Sequence, residues 1–153
     1  MRLFIVFLLL FLSLIIAYIH TSELKRNKNA SIVLLRLAEK IKNNQSSEML
    51  PIYKLSEDLL VEGAEEKHVF SSTDDMIIYI NDRFKSVPFI KEYSDILSRL
   101  PTLAMDELPS CTEKLIKIAE QGLQNCNDKY IKEGKNAYIL YPGIVTVLIL
   151  LLI

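Results

Sequence analysis

Residues 89–100 read FIKEYSDILSRL. The apolar side chains Phe89, Ile90, Tyr93, Ile96, Leu97 and Leu100 recur at spacings of one, three and four, with Lys91, Glu92, Asp95 and Arg99 between them. That is the period of an amphipathic helix, and it is the cleanest such pattern in the chain. Working towards the N-terminus, Pro88 forces a joint. Before it, Met76, Ile77, Ile80, Phe84 and Val87 form a second stripe. Ser72-Thr73-Asp74-Asp75 supplies a plausible cap for that helix. Residues 64–71 are polar and loop-like. Pro51 fits the first turn of another helix, with Ile52, Leu55, Leu59 and Leu60 on one side and Gly63 ending it. A polar turn over residues 43–47 precedes it. Ile32, Leu35, Leu37, Ala38 and Ile41 give a further stripe, on a helix that continues from the N-terminal segment because no proline or glycine interrupts.

Working towards the C-terminus, Pro101 and Pro109 bracket a connector. Ser110-Cys111-Thr112-Glu113 has the pattern of a capping box. The helix after it places Leu115, Ile118, Ala119, Gly122 and Cys126 on one face. No alternating apolar run of strand length occurs; residues 76–80 favour strand locally, but the surrounding period is helical. The expected fold is therefore all-α, an antiparallel helical bundle.

The chain around this bundle is unevenly charged. It has 153 residues, enough for one small domain. Residues 3–19 and 136–153 contain no Asp, Glu, Lys or Arg, whereas all 19 acidic residues and every basic residue except Arg2 lie between the two runs. Each uncharged run approaches the ~20 apolar residues that span a bilayer. Pro142 and Gly143 fall near the start of the second run, and a proline is tolerated in the first turn of a helix. The expected organisation is an N-terminal transmembrane helix (1–20), a helical bundle (21–135) and a C-terminal transmembrane helix (136–153).

Three topologies are open. Both ends can span the membrane with the middle in the cytosol. The N-terminus can be a cleaved signal peptide with a C-terminal anchor. The tail can be a lipid-anchor signal that is removed. Lys25, Arg26 and Lys28 follow the first run, and Lys129, Lys132 and Lys135 precede the second. The positive-inside rule thus favours a cytosolic middle with both termini outside. Tyr138 and Tyr141 add an interfacial aromatic pair beside Lys135. A 115-residue middle can nonetheless translocate regardless of charge, and Ala17 is a usable though poor cleavage site. The sequons at Asn29 and Asn44 matter only outside a cytosol. Neither span reads as having a repeated small-residue motif, so their mutual packing stays open.

The chemistry-bearing residues are few. The four glycines (63, 122, 134 and 143) have no phosphate-loop or dinucleotide-turn spacing. His20, His68, Cys111 and Cys126 have no zinc spacing, so no metal or cofactor is expected. On one continuous helix, positions 111 and 126 lie about 22 Å apart, beyond disulfide reach. Asp74-Asp75 and Asp106-Glu107 read as a cap and a solvated turn, and 62–66 as an exposed acidic end. A net charge of −1 argues against nucleic acid as a partner. The expectation is a protein without catalysis of its own.

The layout resembles the stage III sporulation protein AB family of endospore-forming Firmicutes. Ala17-Tyr18-Ile19 leading to Lys25-Arg26 looks like that family's exit from its first span. Residues 34–41 sit where its first long helix lies. Met49-Leu50-Pro51 with Leu55 and Leu59 is similar to its Leu-Pro helix start. Residues 97–100 followed by Asp106 occupy the place of its Leu-Gly and Asp-containing turn. Lys135-Asn136-Ala137-Tyr138 with Gly143 resembles its closing segment. Residues 100–109 lack the family's glycine-rich turn, the tail keeps only one of two expected glycines, and the middle is shorter.

The resemblance implies a bundle similar to the cytoplasmic domain of the type II secretion platform protein. It also implies a place in the mother-cell membrane around the forespore. The implied partners are the membrane, other membrane proteins of the sporulation complex and a cytosolic secretion-type ATPase. A homo-oligomer is compatible with that role. The alternative is a secreted or lipid-anchored helical surface protein that binds an extracellular partner.

Overall fold

A computed structural model describes residues 2–44, 50–60 and 69–152. Every regular element among them is helical: α1 (Arg2–Asn44), α2 (Ile52–Leu60), α3 (Thr73–Arg83), α4 (Ile90–Arg99), a 3₁₀ turn (Leu100–Thr102), α5 (Leu108–Lys129), a π-helical turn (Tyr130–Gly134) and α6 (Lys135–Leu152). The all-α expectation is met. The chain forms two compact units, residues 29–124 and residues 1–28 with 125–153. These units are defined by packing. They divide the chain at other positions than the membrane boundaries expected after residues 20 and 135.

The unit of residues 29–124 is a helical bundle around one core. Leu34, Leu37, Ala38 and Ile41 of α1 meet Leu55, Phe70, Met76, Ile80, Val87, Ile90, Tyr93, Leu97, Leu115 and Ala119. Leu37, Ala38 and Ile41 of the expected α1 stripe are buried, but Ile32 and Leu35 are only half-buried, and Ala30 and Leu34 take the places in the core at that end. Tyr93 is fully buried and donates its hydroxyl to the Leu34 carbonyl at 2.8 Å. Burial pushes its phenol well above the ordinary tyrosine range, so it stays a neutral donor.

α3 and α4 pack as a hairpin through the joint at Pro88, and Ser94 donates to the Asn81 side chain at 2.7 Å. Ser72 caps α3 as the sequence suggests. Its hydroxyl accepts the Asp75 amide at 3.2 Å, and the Asp75 carboxylate in turn accepts the Ser71 amide at 3.1 Å. This Ser-x-x-Asp pair satisfies amides that the first turn would leave open.

Three local expectations are corrected. Ser110 does not cap α5. The helix begins at Leu108, whose amide bonds the Ala104 carbonyl at 3.2 Å, and the Ser110 hydroxyl donates back to Glu107 at 3.0 Å. Pro109 therefore sits in the first turn, where a missing amide costs nothing. Pro51 lies just before α2, its carbonyl accepting the Lys54 amide at 3.0 Å. Pro142 is not in a first turn but inside α6, because the helix already runs on from Leu108 through the π turn. Gly63, the acidic run 62–66 and His68 lie outside the described residues.

Candidate functional site

The eight residues expected to flank the membrane all belong to the unit built from residues 1–28 and 125–153. Its first segment is the N-terminal part of α1. Along it, Val6, Leu10, Ser13, Ala17, Thr21, Leu24 and Lys28 are protected at spacings of three and four, with His20 and Asn27 half-buried beside them. Ser13 and Ala17 are 2% and 0% exposed. Large side chains point the other way: Phe4, Phe7, Phe11 and Tyr18 are more than half exposed. Small side chains occupy the middle of this seam, at Ser13, Ala17 and Thr21, with Val6, Leu10, Leu24 and Lys28 on either side. Ser13-x₃-Ala17 is a single small-xxx-small pair and not a repeated motif.

The second segment answers it. Cys126, Gly134 and Ala137 are buried, Tyr130 and Tyr141 are half-buried, and Ile139, Leu140, Ile144, Val147, Leu148 and Leu150 are exposed. The π turn adds a residue to the helix between Lys129 and Lys135 and so rotates the seam of α6 relative to that of α5.

Four contacts fix the pairing. Lys28 lies over the Tyr130 ring at 5.2 Å. Thr21 donates its proton to its own Ala17 carbonyl at 2.8 Å, and its oxygen approaches the Gly134 carbonyl at 3.5 Å. His20 Nε2 is 3.8 Å from Glu133 Oε2, and its ring stands edge-on to Tyr141 at 6.0 Å. As α1 is followed from 28 back to 20, its partner advances from 130 to 141, so the two segments run antiparallel.

The aliphatic hydroxyls of Ser13 and Thr146 within the apolar runs are satisfied inside their own helices. Ser13 donates to the Leu10 carbonyl at 2.7 Å, and Thr146 to the Pro142 carbonyl at 2.8 Å. In hydrocarbon, where no water is available, an unmade bond of this kind costs several kcal/mol.

At the charged end of the pair, Lys25, Arg26, Lys129, Lys132 and Lys135 are exposed and Lys28 is half-buried over its tyrosine. Thr21 marks the level of Gly134. Lys25 lies about 6 Å beyond Thr21 along α1, and Lys129 about 7.5 Å beyond Gly134, at 1.5 Å per residue. The two basic clusters therefore form one collar. On the apolar side of the Thr21–Gly134 level, Tyr138 is 44% exposed and Tyr18, at the exit from the first apolar run, is 65% exposed. Tyr141 is held against His20. His20, Thr21, Glu133 and Gly134 were missed in the sequence. Their spacing carries no signal until the two ends of the chain are paired.

Among the described residues, one helix is long and apolar enough to cross a membrane. It covers Phe4–Asn44, with a mean hydropathy of 2.5 in its best window and 11% of that window buried. In the other unit, an open apolar concavity of about 290 Å³ is lined by Ile41, Leu50, Ile52, Leu100, Met105 and Leu108. Asn44 at its edge is engaged with both backbone groups of Leu50, at 2.9 and 3.2 Å. Comparison with protein-family models, curated proteins and solved structures finds no match.

Proposed function

We propose that the chain is a non-enzymatic, two-pass membrane platform component. Its helical middle faces the cytosol, within a secretion-like complex of the stage III sporulation type between mother cell and forespore. The observation that carries the membrane part is the inverted unit of residues 1–28 and 125–153. Small residues and internally bonded hydroxyls line its seam, and large apolar side chains face outward. Without a hydrophobic force between helices in lipid, close packing of small residues is what holds two spans together.

The sporulation assignment is supported by the ordered resemblance of span, basic patch, helical middle and closing segment. The cytosolic secretion-type ATPase of that complex is the proposed partner for the middle. Alternatively, the chain is a secreted or lipid-anchored surface protein. Against that reading, Ala17 is followed by Tyr18-Ile19-His20, which is a poor exit for signal cleavage.

Topology is tested by impermeant maleimide labelling in intact cells, with Cys111 and Cys126 replaced by serine or alanine and single cysteines placed at exposed Lys91 or Ser98. The expected outcome is labelling only after permeabilisation. Labelling in intact cells refutes the cytosolic middle. An intact mass lacking the first ~17 residues selects the secreted alternative. A gene neighbourhood without a secretion-type ATPase removes the sporulation assignment.

A further inference from the structure

The basic collar is more than a topology signal. The unit of residues 1–28 and 125–153 carries seven Lys and Arg against three carboxylates (Glu23, Asp128 and Glu133), a net charge of +4. The unit of residues 29–124 carries eleven against sixteen, a net charge of −5. A chain that is almost neutral overall thus concentrates its positive charge in its two apolar-ended segments. Six of those seven cations lie within one short band, on both helices of the pair. Of the three carboxylates, Glu133 is turned to His20.

Directly beside the band, Tyr18, Ile19, Ser22, Glu23 and Arg26 line a shallow concavity of about 340 Å³ on α1. Its lining combines the apolar Tyr18 and Ile19 with the Ser22 hydroxyl, the Glu23 carboxylate and the Arg26 guanidinium. Arg donors match phosphate oxygens in pairs, and a hydroxyl adds a further donor. A phosphate would stand at the level where the exposed apolar surface ends and the cations begin, which is the position of a lipid headgroup.

We infer that this collar is a binding surface for the phosphate headgroups of anionic phospholipids, with Arg26 and Ser22 as one seat and Lys25, Lys129, Lys132 and Lys135 as the surrounding field. Clusters of four to eight Lys or Arg next to a span attract anionic lipid by about fivefold per cation at the surface. Glu23 opposes the phosphate and sets the affinity below what the cations alone would give. The inference rests on the membrane reading.

The test uses the full chain. It is first floated with phosphatidylcholine vesicles. Native mass spectrometry then measures the lipid retained from equimolar phosphatidylcholine and phosphatidylglycerol micelles. The expected result is flotation, with phosphatidylglycerol retained preferentially at low salt and the preference lost at high salt. R26Q/K132Q lowers the preference by on the order of tenfold, R26K/K132R keeps it, and Glu23→Gln raises it. Both positions are exposed, and unchanged helical circular dichroism confirms that the variants are folded.

Flotation with equal retention of the two lipids overturns the collar while leaving the membrane reading intact. So does a wild-type preference in R26Q/K132Q. Displacement of retained lipid by inorganic phosphate at matched ionic strength overturns the assignment to lipid. A chain that fails to float overturns both readings.

Discussion

A methyl group added to Gly122 would stand 2.1 Å from the Phe89 ring, so the ring must shift to admit it. Gly122 is thus the seat on which Phe89, the joint residue before α4, rests. Alanine there gains about 1 kcal/mol of helix propensity but overpacks the contact at about 1–3 kcal/mol. Gly122→Ala is therefore expected to destabilise the bundle. In a Phe89→Ala background the same change is expected to stabilise it, a sign reversal that thermal unfolding of the four variants detects. Gly143→Ala, with nothing within 4 Å, serves as the control and is expected only to stabilise its helix. The sequence placed Gly122 on the apolar face but could not name its partner, which lies 33 positions away. The α3 cap was legible because Ser-x-x-Asp is a local code. The same code misled at Ser110, because the turn from Ala104 to Leu108 starts the helix at Leu108, ahead of Ser110.

At the scale of elements, the seam of α1 decides whether the terminal segments pair. Ala17 is fully buried there, while its neighbours Ile15 and Ile16 are 42% and 46% exposed. Ala17→Leu inserts three carbons into a seam that already holds Thr21 against Gly134, and is expected to cost about 1–3 kcal/mol. Ile15→Leu, on the exposed face, is expected to be neutral. Detergent-titrated unfolding followed by circular dichroism separates the two, and equal behaviour would remove the seam. Helix existence was legible for all six α-helices, because apolar spacing of three and four survives without knowledge of partners. Which face of the N-terminal part of α1 is buried was not. The N-terminal part packs small residues inward, the reverse of the hydrophobicity rule used for the stripe at 32–41. The π turn changes register in a way that no residue type announces.

On the scale of the whole molecule, the uncharged ends and the six flanking cations were legible from sequence alone, since charge exclusion is compositional. Their gathering into one collar was not, because it depends on segments more than a hundred positions apart coming together, with Lys28 on Tyr130 and Thr21 on Gly134. That antiparallel pairing bears on topology. On the proposed two-pass reading, two antiparallel helices with their charged ends at one level and their apolar ends at the other would enter the membrane from the same side, and both chain ends would emerge opposite the collar. Epitope tags fused before Met1 and after Ile153 are accordingly expected to be digested by external protease in intact protoplasts. A tag inserted at the exposed Lys85–Ser86 corner is expected to be protected. Digestion of the N-terminal tag alone would mean that α6 lies along the surface or stays inside. The pairing would then hold outside the bilayer, and the exposed apolar side chains of α6 would need a protein partner in place of lipid.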